Sequence, residues 1–334
     1  MIDWFLYHPD DPVDSRINVC SPAVVKLPFQ STFIKTADNV EINVVFIYQE
    51  KQKVCDAPTL VYFHGNAGNV GHRLLNVSEI YHNCGCNLLL VEYRGYGHSK
   101  GSPSESGLYM DAEAALSYLL EHPDVNKSKI VLFGRSLGGA VAVELCSNPN
   151  FSTHVSALII ENTFTSIPDV ARILFDCRIV RLIPRWFYKS RFDSLSKISQ
   201  VSVPTLFLSG LADELIPPSM MHSLYESSGS ILKQFKSFDN GTHNFTWRCK
   251  DYYSVLNLFL CQSLQESNNK MHIVNEVVSK VNASNAYSTK CLTIPTNMLQ
   301  VPSVLSTVSQ QYEASNKRSA YVVDSRDSHS IETV

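Results

Sequence analysis

The sequence of 334 residues lacks the run of about 20 apolar residues that a membrane-spanning helix requires, and no apolar signal-peptide core lies near its start. The chain as printed is therefore not expected to be integral to a membrane. Excess positive charge is also missing, because the net charge is −3. Bulk electrostatics thus gives no reason to expect a nucleic-acid partner.

The cysteine and histidine residues are too widely spaced to indicate a fold that is stabilised by several disulfides or by a zinc ion. Nine cysteines, an odd number, are spread along the chain, and Cys84 and Cys86 are too close together to form a useful bridge. We expect reduced thiols, or at most one or two disulfides. No cysteine and histidine group has zinc spacing, so we expect neither a metal nor another cofactor.

Apolar runs that alternate with amphipathic segments indicate an α/β fold. The chain is 44% hydrophobic, enough for a large core. We predict a mostly parallel, twisted sheet of about eight strands, with helices on both faces and an antiparallel pair at its start. The predicted strands are 32–35, 41–48, 59–63, 87–93, 129–133, 157–160, 205–208 and 232–238, and the main predicted helices are 71–83, 108–119, 137–147 and 252–264.

The pattern divides the chain into an irregular segment at 1–30, an α/β domain at 31–265 and a tail at 266–334. The tail loses hydrophobic periodicity and is expected to be disordered. Within the domain, residues 167–200 are too many for a simple crossover and predict a small helical cap. This cap is rich in aromatic, aliphatic and basic residues.

Ser136 is the candidate nucleophile. It lies in Gly134–Gly138, a Gly-x-Ser-x-Gly motif between an apolar strand and a helix. A serine at such a turn has a strained backbone that lifts its Oγ clear of the sheet, and side chains in place of the glycines would clash with the neighbouring strand and helix. The turn also places the backbone N–H of Leu137 at a helix N-terminus, where it can stabilise an oxyanion.

A serine hydroxyl needs a base, and the base needs an orienting acid. Enzymes with this turn carry the acid and then the base on loops after later strands. Asp213 and His243 occupy those positions and complete the predicted triad. Glu161, Glu214 and Asp239 are alternative acids. Of these, Glu161 is expected to anchor the base of the cap by hydrogen bonds instead.

The loop after the strand 59–63 is expected to supply the second oxyanion donor. Two glycines in this loop let the backbone approach a substrate, and the N–H of Asn66 or Ala67 would donate. His64 could also be read as a base, but a structural role that fixes the loop is favoured, since His243 occupies the base position. The loop 93–99 is interpreted as a shaped turn.

Taken together, these motifs resemble the bud-emergence-like family of alpha/beta-hydrolase domain-containing proteins over about residues 4–264. The resemblance rests on 63–73 (FHGNAGNVGHR), 93–99 (YRGYGHS), 134–140 (GRSLGGA), 161–167 (ENTFTSI), 210–218 (GLADELIPP) and 241–244 (GTHN). It implies an α/β-hydrolase fold with Ser136 as nucleophile, Asp213 as acid and His243 as base.

The resemblance also implies a location. Members of the family usually carry an N-terminal membrane anchor, and this chain begins near the point where such an anchor would end. The start is therefore either that of an unanchored form or truncated. Membrane association is expected from the family, and a cytoplasmic location otherwise. The positive charge of the cap favours peripheral contact with an anionic membrane surface, with a solvated basic face as the alternative.

We expect a serine hydrolase that cleaves esters or thioesters through an acyl-enzyme. The apolar cap suggests an acyl pocket and a lipid-like or acylated-protein substrate, and related family members that depalmitoylate proteins suggest thioester chemistry. Packing of the cap on the body is the alternative reading of its apolar residues. A serine peptidase, a non-catalytic binding protein or a scaffold that binds PDZ domains through 332–334 are the other functions considered.

Overall fold

Eight strands form one sheet in the computed structural model, which describes residues 6–50, 52–174 and 183–265. Five of the strands are buried along their whole length, as expected for a sheet that is covered on both faces. The strands are β1 (Phe29–Lys35), β2 (Glu41–Ile47), β3 (Thr59–Phe63), β4 (Asn87–Val91), β5 (Ile130–Arg135), β6 (Ala157–Glu161), β7 (Thr205–Gly210) and β8 (Lys233–Phe238).

The strand order is β1-β2-β4-β3-β5-β6-β7-β8. β1 pairs with β2 and β2 with β4 in antiparallel fashion, while all pairs from β4 to β8 are parallel. The carboxyl ends of β3, β5, β6, β7 and β8 therefore lie along one edge of the sheet. In α/β sheets this is the edge where ligands bind. The predicted mostly parallel sheet of about eight strands is confirmed.

Helices cover both faces. Their bounds are α1 (Leu74–Cys84), α2 (Glu105–Glu121), α3 (Leu137–Ser147), α4 (Pro149–Ser152), α5 (Ile167–Leu174), α6 (Ser194–Lys197), α7 (Pro218–Ser227) and α8 (252–265). Alternate strand residues point into two separate cores. Val61 packs in the core that contains residues of α2, α3 and α7, while Tyr62 packs in the core that contains residues of α1 and α8.

The predicted ends of several elements are wrong by a few residues. β5 continues through Gly134 to Arg135, because both residues pair with their neighbours in the sheet. β1 starts at Phe29, inside the segment that was predicted to be irregular. The predicted helix 71–83 begins with a 3-10 turn, Val70–Arg73, before α1. None of these differences moves a proposed site residue off the carboxyl edge.

The insertion 167–200 contains short helices where the structure describes it: α5, the 3-10 turn Arg185–Phe187, α6 and the 3-10 turn Ile198–Gln200. Its middle, 175–182, and the predicted tail at 266–334 lie outside the described residues. In the described ranges, every helix is too short or too polar to cross a bilayer.

A chain of charges joins the β1–β2 turn to the loop 93–99. The Arg94 guanidinium donates to both carboxylate oxygens of Asp38, at 2.7 and 2.9 Å, and to Asp111 of α2 at 2.9 Å. The backbone N–H of Arg94 also donates to Asp111, and burial raises the pKa of that carboxyl to about 6. The loop is therefore held as the shaped turn that was predicted.

Asp38→Asn is expected to lower stability at neutral pH and to have less effect in acid. Hydrogen bonds from Arg94 and Thr36 lower the pKa of Asp38 to about 2. The unfolded value is about 3.9, so the stabilisation is present above about pH 4 and is lost as the pH falls towards 2. We expect less than about 1 kcal/mol, since 38% of this side chain is exposed.

Urea unfolding of the wild type and Asp38→Asn at pH 6 and pH 3 measures this effect. The difference in free energy of unfolding should shrink at pH 3. Asp124→Asn, at an exposed carboxylate, controls for the loss of one negative charge. An equal difference at both pH values would contradict the role assigned to the Asp38 carboxylate.

Candidate active site

Ser136 lies between the last residue of β5 and the first residue of α3, in a conformation that most residues avoid. Its φ is 54° and its ψ is −119°. The backbone N–H of Ser136 donates to the Glu161 carbonyl at 2.9 Å, and its carbonyl accepts from the Thr163 hydroxyl at 2.7 Å. These two bonds hold the strained residue against the end of β6. Strain of this kind is concentrated at functional positions.

The glycines of the motif are required by close packing. A Cβ on Gly134 would lie 2.2 Å from the Gly138 carbonyl oxygen, and a Cβ on Gly138 would lie 2.0 Å from that of Phe63. Both distances are far below a van der Waals contact. The strand, the turn and α3 therefore approach one another only because these positions lack side chains.

Asp213 and His243 meet at Ser136, as the sequence predicts. The Nδ1 atom of His243 lies 2.8 Å from Oδ2 of Asp213, and its Nε2 atom lies 3.0 Å from the Ser136 Oγ. The other Asp213 oxygen accepts from the backbone N–H groups of Leu215 and Ile216, at 2.9 and 2.8 Å. The turn after β7 thus fixes the carboxylate, which in turn orients the imidazole.

The other acids considered are placed elsewhere. Glu161 is buried and accepts a hydrogen bond from the Tyr252 hydroxyl of α8, with Arg135 Nε 3.9 Å away. Burial raises the pKa of this carboxyl. The expectation that Glu161 anchors the base of the cap is wrong, since these partners belong to β5 and α8. Glu214 and Asp239 are exposed.

The predicted oxyanion groups lie around the serine. Leu137 is the first residue of α3, so its N–H is one of those that a helix leaves without an internal acceptor. Gly65 lies beside the nucleophile, because a Cβ built on it would be 3.5 Å from the Ser136 Cβ. Asn66 and Ala67 follow in the same loop, which is therefore placed to supply a second donor.

The N-terminal segment holds this loop in place. The Asn66 side chain donates to the Leu6 carbonyl and accepts from the Tyr96 hydroxyl at 2.9 Å. Ala67 forms a parallel bridge with His8. Residues before β1 therefore help to shape the candidate oxyanion site, a role that the sequence did not reveal.

His64 is not placed to act as the base. It is fully buried, with its Nε2 atom 3.1 Å from Glu92 Oε1 and its Nδ1 atom 2.7 Å from the Gly65 carbonyl oxygen. The second Glu92 oxygen accepts from the backbone N–H of Val70 at 3.1 Å. These contacts tie the end of β3 to the start of the next turn, consistent with the structural role that was favoured for His64.

A cavity of about 600 Å³ opens beside Ser136 and His243. Its walls come from the loop 65–68, from Pro12, and from the residues that follow Asp213 and His243. The apolar side chains in these walls include Leu215, Ile216, Phe245 and Trp247. None of the described residues of the insertion 167–200 is among the cavity-lining groups. The apolar wall thus comes from residues that follow Asp213 and His243 in the sequence. The predicted acyl pocket built from the cap is not seen among the described residues.

Two guanidinium groups that were not predicted as site residues also line the cavity. Arg135 donates to the Asn244 side chain at 2.8 Å. Arg73 donates to the Ala67 carbonyl. Both belong to the motifs around the candidate site, and Arg135 directly precedes the nucleophile. Their position in these motifs is the feature of the sequence that could have identified them as site residues. Within the described residues, no three His, Cys, Asp or Glu side chains are grouped as metal ligands.

Comparison with known proteins identifies relatives over most of the chain. Protein bem46 of Schizosaccharomyces pombe is 41% identical over 254 residues, which cover 75% of this chain and 83% of that protein. The alpha/beta hydrolase domain-containing protein WAV2 of Arabidopsis thaliana is 38% identical, covering 72% and 81%. The membrane protein YNL320W of Saccharomyces cerevisiae is 34% identical, covering 77% and 88%.

Solved structures show the same fold at low sequence identity. The esterase Pf2001 of Pyrococcus furiosus superposes with a TM-score of 0.60 at 18% identity, covering 74% of this chain and 97% of that protein. Est1E of Butyrivibrio proteoclasticus, solved with ferulic acid, gives a TM-score of 0.56 at 16% identity, covering 71% and 99%. A family model of the alpha/beta hydrolase fold matches residues 58–176. The chain has the alpha/beta hydrolase fold, as predicted, and belongs to the bud-emergence-like family of alpha/beta-hydrolase domain-containing proteins.

Proposed function

We propose that the protein is a serine hydrolase that cleaves ester or thioester bonds through an acyl-enzyme on Ser136. The observation that carries the proposal is the continuous line of contacts from Asp213 through His243 to the Ser136 Oγ, at 2.8 and 3.0 Å. Asp213 is buried, and His243 lines the cavity beside Ser136. A substrate carbonyl can therefore reach the Ser136 hydroxyl while Asp213 keeps His243 in place.

In the first step, the Ser136 oxygen attacks the carbonyl carbon while His243 Nε2 takes its proton. The carbonyl oxygen becomes an oxyanion, which the Leu137 N–H and a donor of Asn66 or Ala67 stabilise. Collapse expels the alcohol or thiol, which receives the proton from His243. Water then attacks the acyl-serine in the same way, and the carboxylic acid product is released from Ser136. Asp213 stabilises the imidazolium in both steps.

The leaving group favours esters and thioesters over amides. An alkoxide or thiolate is a far better leaving group than an amine anion, so a thioester or ester makes a smaller demand on the general acid. The esterase Pf2001 shares the fold, which supports this preference. The apolar wall of Leu215, Ile216, Phe245 and Trp247 supports an acyl or alkyl group, as in a lipid-like or acylated-protein substrate.

Peripheral contact with a membrane surface forms part of the proposal. Trp186 and Phe187 of the insertion are 79% and 52% exposed. Exposed aromatic side chains beside basic residues are typical of surfaces that bind at a lipid headgroup layer. The relative from Saccharomyces cerevisiae is itself named a membrane protein.

A fluorophosphonate probe tests the nucleophile. The wild type is expected to be labelled at Ser136, as peptide mass spectrometry would show, and Ser136→Ala should not react. Turnover of p-nitrophenyl esters and acyl-thioesters of increasing chain length, with matched amides, then ranks the leaving groups. A folded wild type that the probe leaves unlabelled would contradict the proposal and favour a non-catalytic binding protein.

A further inference from the structure

Arg73 lies in the active-site cavity with little to neutralise its charge. Its Nη2 atom donates to the Ala67 carbonyl, and its Nε atom is buried without an acceptor among the described residues. Among the described residues, this guanidinium has a single hydrogen-bond partner, the neutral carbonyl group of Ala67. An unsatisfied polar group with a positive charge costs stability, so its presence at a cavity calls for a reason.

Neighbouring charges act on Arg73 in both directions. Burial and the nearby Arg135 guanidinium lower the pKa of Arg73, whereas the Glu92 carboxylate raises it. Among the described residues, Glu92 contacts His64 and Val70 and forms no ion pair with Arg73. Arg135 itself has Glu161 at 3.9 Å and Asn244 at 2.8 Å, so it is compensated by other residues. Among the described residues that line the cavity, Asp11 is the only acid, and it is exposed and forms no ion pair with another described residue. Burial and the nearby Arg73 guanidinium lower the pKa of His72 as well.

A purely structural role accounts for only part of this arrangement. The bond to Ala67 helps to hold the oxyanion loop, and a neutral donor would make the same bond without the cost of a buried charge. A guanidinium instead offers several donors in a planar fork that matches the oxygens of a carboxylate or phosphate. The charge of Arg73 therefore fits a ligand better than it fits the loop.

We propose that Arg73 binds an anionic group, a phosphate or a carboxylate, that is carried by the substrate ester. The inference rests on the proposed serine-hydrolase function and narrows its substrate class. Arg73 and the nucleophile line one cavity of about 600 Å³, so the anion and the scissile carbonyl belong to one small molecule or one headgroup. The wall of Leu215, Ile216, Phe245 and Trp247 takes the hydrocarbon part. The substrate is therefore an anionic amphiphile.

Two matched pairs of esters test the proposal and show which side of the ester carries the anion. Lauroyl glycerol 3-phosphate and lauroylglycerol differ only on the alcohol side. The monoester of suberic acid with p-nitrophenol and its methyl ester differ only on the acyl side. For at least one pair, the wild-type kcat/KM should be about 10- to 100-fold higher for the anionic ester, the range expected for hydrogen bonds to a charged group.

Variants then assign the preference to Arg73. In Arg73→Met, kcat/KM for the anionic ester should fall about 10- to 100-fold more than for its neutral partner. Arg73→Lys should keep part of the preference, because the charge remains. Lys127→Met, at an exposed lysine before β5 and so at the opposite end of that strand from Ser136, should behave as the wild type. Equal losses on both esters in Arg73→Met would show that the residue only supports the loop.

A binding measurement separates this inference from the proposed function. Calorimetry with Ser136→Ala compares, without turnover, the anionic and neutral members of each pair. For at least one pair we expect the anionic ester to bind at least about tenfold more tightly, and this advantage to be lost in Ser136→Ala/Arg73→Met. Tight binding of an anionic ester, without any labelling or turnover in the wild type, would contradict the proposed hydrolase function and support the anion site. Turnover without any preference for an anionic ester would support the hydrolase function and contradict the anion site at Arg73.

Discussion

His243→Ala is expected to lower kcat for a p-nitrophenyl ester by about 10⁴- to 10⁶-fold, the range seen when the base of a serine triad is removed. The imidazole Nε2 lies 3.0 Å from the Ser136 Oγ, and no other side chain among the described residues is hydrogen-bonded to that oxygen. Without it, the hydroxyl must attack while it still carries its proton. KM should change much less, because the imidazole acts on the proton and contributes little to the binding of the acyl chain.

Steady-state kinetics on three variants measure this effect. Asp213→Asn keeps the shape of the carboxylate but removes its charge, and should cost about 10⁴-fold in kcat. His154→Ala replaces an exposed histidine away from the cavity and should match the wild type. A His243→Ala enzyme that keeps a tenth of the wild-type kcat would show that another group deprotonates the serine.

Gly138→Ala is expected to destabilise the fold by more than about 3 kcal/mol, a large loss for a single methyl group. The added Cβ would lie 2.0 Å from the Phe63 carbonyl oxygen and 2.7 Å from that of His64. Both are backbone atoms at the end of β3, so no side-chain rotation relieves the overlap. Helix propensity alone predicts the opposite sign, since alanine is better than glycine inside a helix by about 1 kcal/mol.

Chemical denaturation of Gly138→Ala and Gly65→Ala decides between the two effects. A Cβ on Gly65 would meet its nearest atoms at 3.5 and 3.7 Å, which are ordinary contacts. We expect Gly65→Ala to change the free energy of unfolding by less than about 1 kcal/mol. If Gly138→Ala were as stable as the wild type, the close approach of α3 to the end of β3 would be wrong.

The nucleophile could be found from the sequence because local constraints specify it. The motif Gly134–Gly138 needs small residues, a preceding strand and a following helix, and all three requirements are visible in one stretch of chain. The predicted helix 137–147 has the bounds of α3. Asp213 and His243 could be found because they follow strands in the expected order. Their contacts with Ser136 depend on parallel pairing, which brings those strand ends to one edge.

The walls of the cavity could not be found in the same way, since they depend on contacts between distant segments. Pro12 precedes the first strand and has no local signal of function. Arg73 looks like an ordinary basic residue at a helix start until its lack of an acidic partner is seen. The end of β5 was misplaced because Gly134 is typical of a turn, while pairing with Phe63 and Ile160 keeps it in the sheet.

The insertion between β6 and β7 is closed at its base by the backbone. The Ile167 N–H donates to the Arg191 carbonyl at 2.8 Å, and the Leu195 N–H donates to the Thr165 carbonyl at 3.0 Å. The chain thus leaves and re-enters the body at neighbouring points. A segment joined in this way can be lengthened, shortened or exchanged during evolution while the strands that carry Ser136, Asp213 and His243 stay in register. Residues 168–190 are accordingly a segment that could be exchanged for the corresponding insertion of a relative.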